Sequence, residues 1–261
     1  MKIAINDISD ALKKIDIALV FGWQDVSQRY RRSRIGAFWI TINMAVMIVA
    51  LGIIFGTLFR MPMEEFLPQV AAGLIVWTFF MSVIMEGGAS YIEASATILQ
   101  VKMPFSTHII RVLWRNLIIM AHNIIIIPFI LIFFMKPMTM SVFLLPLGMI
   151  IGIVNVLWMA IFLSIVCTRF RDVPMIVQNV MQICFYATPI MWAPSILPDG
   201  MPQLLIQFNP FYHLLQVVRM PMLSETPDMV NWIVCISMAF FGWILALVFF
   251  DRYQQRITYW L

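Results

Sequence analysis

Four arginines fall within six residues, Arg29, Arg31, Arg32 and Arg34, directly ahead of an apolar run that begins at Ile35. A planar guanidinium binds phosphate bidentately, and each basic residue beside an anionic leaflet contributes about 1 kcal/mol of attraction. The cluster suits two jobs: gripping a phosphate carried on a lipid, or anchoring the next helix at the headgroups. It is too short and too close to an apolar run for nucleic-acid binding, and no nucleic-acid partner is expected.

Other chemistry is thinly provided. The acids are scattered; only Glu64 and Glu65 are adjacent, whereas an enzyme acting on lipid-linked sugars needs carboxylates gathered for acid–base work or metal binding. Cys167, Cys184 and Cys235 sit in apolar runs without CxxC spacing, so they read as buried thiols. No carboxylate or second histidine is placed to join His122 and Asn123, so no metal site is expected and an interhelical hydrogen bond is their expected use. No G-x-x-x-x-G-K-[ST] stretch occurs, nor any Gly-Lys pair. If the protein works with ATP, the ATP and its magnesium are expected on another chain, with no cofactor and no catalytic residue here.

The elements that must position these residues follow from composition. Of 261 residues, 62% are hydrophobic and 11% charged, against about 45–50% and about 25% in a soluble domain. A bilayer core needs roughly 20 apolar residues per helix. Runs of that size occur at Ile35–Phe59, Phe66–Met85, Asn116–Met135, within Pro137–Thr168, within Val173–Pro198 and at Met229–Phe250. The expected fold is all-α, with six transmembrane helices over residues 35–261. With both termini cytoplasmic, 14 of the 17 basic residues face inward, leaving Arg60, Lys136 and Arg219 outside. Residues 1–34 form an expected cytoplasmic unit. There Ile8, Ala11, Leu12, Ile15 and Leu19 make the apolar stripe of an amphipathic helix, lying in the interface plane or packed on protein. Met1–Leu19 is interrupted by Asp7, Asp10, Lys13, Lys14 and Asp16, so no cleavable signal is expected.

Between spans five and six, seven of the fourteen prolines fall from Pro189 to Pro227. Leu204–Leu223 is apolar but broken by Asn209-Pro210 and Arg219, which reads as short re-entrant helices over about 194–223. Asp172 followed by Pro174 reads as an N-cap and helix-start proline for span five, with Arg169 and Arg171 marking the same boundary. Thr188-Pro189 should kink or end that helix. Gln178 and Gln182 share a face and either pack on another helix or line a pore. Glu86, before Gly87-Gly88, reads as a helix-end carboxylate near water. Phe185, Tyr186, Trp192, Phe208, Phe211 and Tyr212 cluster around the outer half of span five and the broken loop, as a lipid-facing belt or as an aromatic exit suited to sugar CH faces.

Several of these pieces together resemble the permease subunits of ABC-type polysaccharide exporters. They are the Arg29-Tyr-Arg-Arg-Ser-Arg-Ile-Gly-Ala-Phe-Trp39 entry, Ile98–Phe105 followed by Arg111 and Arg115-Asn116, and Arg169-Phe-Arg-Asp-Val173 leading to Phe185-Tyr-Ala-Thr-Pro-Ile190. Asn209-Pro210 ahead of Arg219 and the closing Asp251-Arg252-Tyr253 and Tyr259-Trp260 complete the set. One departure is Met103-Pro104-Phe105, where that family often has Phe-Pro. The resemblance implies an inner-membrane homodimer paired with two ATP-binding subunits. It implies a coupling loop at about 90–112, with Gln100, Lys102, Met103, Pro104 and Phe105 docking on the ATPase subunit. Its cargo would be a lipid-pyrophosphate-linked polysaccharide of the O-antigen type, for lipopolysaccharide biosynthesis. Capsular polysaccharide, teichoic acid and small-molecule cargo remain alternatives, as more remotely does a membrane enzyme on lipid-linked sugars.

Overall fold

The structure is a computed structural model that describes residues 2–31, 33–192 and 206–261. Arg32 and the loop prolines 194, 198 and 202 lie outside the described residues, as does any first re-entrant helix of that loop. The described residues form α1 (Lys2–Lys13), α2 (Ile15–Tyr30), α3 (Phe38–Phe59), α4 (Met63–Glu93), α5 (Ser95–Gln100), α6 (Ser106–Ile124), α7 (Ile126–Phe133), α8 (Leu145–Arg169), α9 (Val173–Ala187), α10 (Pro210–Met222) and α11 (Met229–Trp260). Five segments are long and apolar enough to cross a membrane: α3, α4, α6 with α7, α8 with the 3-10 turn before it, and α11. They are all-α spans at the places the apolar runs marked.

α4 is the central helix. Eighteen of its 31 residues are buried, whereas α3 and α11 keep most of their surface outward. Helices in lipid gain little from the hydrophobic effect between them and associate through close packing at small residues. Gly87 of α4 lies against Ala160 of α8, and Gly148 of α8 lies under the Val217 carbonyl of α10, where a Cβ would sit 2.1 Å from the oxygen. α10 is thus wedged against α8, and its residues 213 to 219 are all buried.

α4 and α6 reach further than the apolar runs suggested. α4 continues past Met85 to Glu93, and α6 begins at Ser106, ten residues before Asn116. The extension is possible because its charges are paired, as described below. Glu86 is therefore not a helix-end carboxylate but lies within α4. The connection between the two helices shrinks to α5 and Val101–Phe105.

α9 has 15 residues, about 22 Å at the α-helical rise, against a core of about 30 Å. Thr188 is its C-cap residue and Pro189 follows, so the Thr-Pro pair ends the helix. Arg171 Nη2 donates to the Trp260 carbonyl at 3.4 Å, and the Arg169 guanidinium lies 5.4 Å from the Trp260 ring. The ends of α8 and α11 therefore share one face, which α1 also joins through backbone donation from Ile3 to Asp251 at 2.9 Å. We call this the terminal face. Because α11 starts on the opposite face, the chain between α8 and α11 makes a net crossing, begun by α9. Asp172 occupies the N-cap position of α9 with Pro174 in the first turn, but its side chain caps no backbone N–H. Its backbone is already in the right-handed helical region, unlike the extended N-cap geometry that aims a carboxylate at the first turn.

Candidate functional site

On the terminal face, the most ordered electrostatic feature joins α2, α4 and α6. Arg111 grips Asp25 bidentately, Nε to Oδ2 at 2.8 Å and Nη2 to Oδ1 at 2.5 Å. Arg115 Nη1 reaches the same carboxylate at 3.2 Å, and its Nη2 donates to Glu86 at 2.8 Å. Asn116 Nδ2 completes the Glu86 site at 2.7 Å. Arg111 and Arg115 are one α-helical turn apart, so both guanidiniums leave α6 on one side, and Gly22 lets α2 approach the Arg111 carbonyl closely. Sequence reasoning missed this network. The available signal was that carboxylates and guanidiniums bordering apolar runs need partners.

The arginine cluster behaves differently. Arg29 sits in the last turn of α2, and Arg31 and Arg34 flank the turn that Gly36 (φ +64°) redirects into α3. Arg29, Arg31 and Arg34 are exposed. No described carboxylate lies within ion-pair distance of them, whereas Asp25, only four residues from Arg29, is committed to α6. Three cations thus remain available beside the start of α3.

The predicted coupling residues form a ledge on the same face. α5 is a six-residue helix ending at Gln100; Gln100 and Lys102 are exposed, and Met103, Pro104 and Phe105 are half-buried. Phe105 packs edge-on against the buried Tyr91, with ring centroids 5.6 Å apart. Beside the ledge runs a groove of about 660 Å³ whose walls include Asp10, Lys14, Lys102, Met103 and Gln254.

α9 and α10 carry the predicted exit residues. Gln178 and Gln182 are exposed, as are Asn179 and Ile183, and only Met181 of this helix is buried. Among the described residues, no helix covers the two glutamines. Phe185 and Phe211 do come together, but through Trp77, at 5.8 and 5.6 Å between ring centroids. Trp77 is 2% exposed, so this part of the aromatic cluster is packed core. Tyr186 stacks edge-on to Phe185 and its carbonyl accepts from Trp192 Nε1. Tyr212 packs on His213, and Phe208 is 82% exposed. The end of α9 is tied to α10 twice. Asn209 Nδ2 donates to Thr188 Oγ1 at 2.9 Å while its Oδ1 caps Phe211 N at 3.0 Å. Arg219 Nη1 donates to the Pro189 carbonyl at 2.6 Å, and its Nε and Nη2 hold Gln216 Oε1. The expected interhelical bond of His122 and Asn123 takes another form. The His122 ring bonds the Ile118 carbonyl of its own helix, and Thr41 of α3 donates to the His122 backbone carbonyl at 3.0 Å. A backbone carbonyl near a helix interruption is a ready acceptor, and α6 breaks at Ile125.

The profile of the ABC-2 type transporter family matches residues 18–223, from α2 through the end of α10. The chain belongs to this family. Three curated relatives agree in kind, all named O-antigen export system permease protein RfbA. One from Klebsiella pneumoniae is 24% identical over 247 residues, covering 93% of this chain and 94% of the relative. One from Myxococcus xanthus is 26% identical over 197 residues, 74% of each chain. A second Klebsiella pneumoniae protein is 22% identical over 244 residues, again 93% and 94%. As an ABC-2 type transporter membrane protein with five long apolar helices, this chain is a multi-pass transport subunit of an ABC system.

Proposed function

We propose that the chain is the permease of an ATP-driven exporter that carries a lipid-pyrophosphate-linked polysaccharide of the O-antigen type across the bacterial inner membrane. The observation that carries the cargo class is the near full-length similarity to O-antigen export permeases. ATP is hydrolysed on a separate subunit; the match to the ABC-2 type transporter membrane family and the lack of a phosphate-binding glycine loop in residues 1–261 support this reading. The terminal face is cytoplasmic. The basic residues gathered there, including Arg29, Arg31, Lys102, Arg171 and Arg256, support that orientation.

Two copies form the channel. Support comes from α9, whose exposed Gln178 and Gln182 would cost free energy against lipid and find no partner among the described residues; a second copy or a polar conduit provides for both. α5 and Lys102–Phe105 dock on the ATPase subunit, beside the groove that adjoins them. Arg29, Arg31 and Arg34 guide the pyrophosphate toward α3, which the lack of a counter-ion for them among the described residues favours. Replacing all three with alanine is expected to lower surface polysaccharide at least tenfold in cells while membrane insertion and recovery with the ATPase subunit stay at wild-type levels. Export unchanged in that variant would remove the arginines from the substrate path.

A further inference from the structure

Asp7 occupies a position that its sequence context does not advertise. It lies on α1, whose helix is half charged or polar, yet it is only 8% exposed. Its carboxylate reaches across 98 residues of sequence to the start of α6. Oδ1 accepts from Phe105 N at 3.0 Å, and Oδ2 accepts from Ser106 N at 2.9 Å and from Ser106 Oγ at 2.7 Å. Gln254 Nε2, on α11, adds a bond to Oδ1 at 3.0 Å.

The first N–H groups of a helix have no partner within it and carry its positive end. Most helices satisfy them with a neighbouring Ser, Thr, Asp or Asn. α6 has Phe105 at its N-cap position, which cannot. The cap is supplied in trans by a different helix. α1 is in turn capped at its own start by Asp251 of α11, which accepts from Ile3 N and Ala4 N at 2.9 and 3.3 Å. The segment Lys102–Phe105 is therefore fixed at its C-terminal end by a carboxylate on α1, and α1 is fixed by α11.

We propose that Asp7 is a positioning residue for the coupling loop. It holds the Met103–Phe105 ledge against the start of α6, so that a push on the ledge moves α6, α1 and α11 as one body. This rests on the reading that the ledge receives the ATPase subunit. Without Asp7 the Phe105 and Ser106 amides are released, the ledge shifts independently of α6, and ATP is hydrolysed without export.

The test uses the whole complex of this chain with its ATPase subunit in proteoliposomes, reading polysaccharide moved per ATP hydrolysed. Asp7→Asn, which keeps the volume and loses the charge, is expected to lower that ratio about threefold. Asp7→Ala is expected to lower it at least tenfold, with ATP hydrolysis and subunit recovery near wild type, and Asp7→Glu to restore part of it. Hydrogen exchange at the Phe105 and Ser106 amides should rise in Asp7→Asn, which keeps the assay informative if Asp7→Ala fails to assemble. A paired variant, Lys102→Ala/Met103→Ala, separates the two readings. If it lowers the ratio while the Asp7 variants leave both ratio and exchange unchanged, the ledge couples and Asp7 is overturned. If none of the variants changes the ratio, the coupling reading falls and this proposal with it.

Discussion

Asp25→Ala is expected to destabilise the protein by about 3 kcal/mol, the low end for breaking a buried ion pair. The carboxylate answers two guanidiniums at once, and removing it leaves Arg111 without any counter-ion in the network and Arg115 with Glu86 alone. The value sits at the low end because Arg111 keeps 32% of its side-chain surface and recovers some water. A chain of this size loses roughly 2–4 °C in midpoint per kcal/mol, so thermal unfolding in detergent should fall by about 6–12 °C. Arg111→Met in the same background is expected to return part of the loss, because the unpaired charge is removed as well; a double-mutant cycle over the two positions should give a coupling of about 1.5–3 kcal/mol. The destabilisation should persist in high salt, since partly buried pairs are screened less than exposed ones. A midpoint shift below about 2 °C would mean that α2 is held to α6 by packing at Gly22 and Val26 and not by the charge network.

Arg219→Met should abolish transport while reducing stability by about 2 kcal/mol. Arg219 is 4% exposed, and its three donor contacts go to a glutamine amide and to the carbonyl of Pro189. Methionine fills much of the same space but leaves that carbonyl buried without a donor, at about 1–3 kcal/mol. The functional loss is expected to exceed the stability loss because Pro189 is where α9 ends, and among the described residues the hydrogen bonds that tie that end to α10 are those of Arg219 and Asn209. Arg219→Lys should recover little, since one ammonium cannot span both acceptors as the guanidinium fork does. Transport in proteoliposomes, measured beside the unfolding midpoint, checks both parts. A methionine variant that transports normally would show that the α9–α10 junction is not part of the path.

The spans were legible because the bilayer imposes a length that few other constraints imitate. Ile35–Phe59 and Met229–Phe250 are free of charged residues throughout, and α3, from Phe38, and α11 cover nearly all of them. Thr188-Pro189 marked the end of α9 for an equally local reason, proline's effect on the residue before it. The terminal face was harder to read because its helices continue through charge. Glu86, Arg111 and Arg115 look like boundaries in a linear scan and become interior once Asp25, distant in sequence, pairs with them. The same holds for Asp7, whose hydrogen-bonding partner Ser106 is 99 residues away. Packing divides the aromatic residues around the end of α9 and the start of α10. Phe185 and Phe211 face inward onto Trp77, whereas Tyr186 and Phe208 remain exposed, a distinction set by tertiary packing that a linear scan does not show.

The most direct test of the central claim is reconstitution. The chain, purified together with its ATP-binding subunit, is placed in proteoliposomes loaded with lipid-pyrophosphate-linked polysaccharide. ATP supplied on the side of the terminal face should move the polysaccharide to the other side. Movement should stop when the nucleotide is a non-hydrolysable analogue or when the ATPase subunit is omitted. Polysaccharide movement by this chain alone, independent of ATP, or failure of any ATP-binding subunit to co-purify with it, would contradict the account.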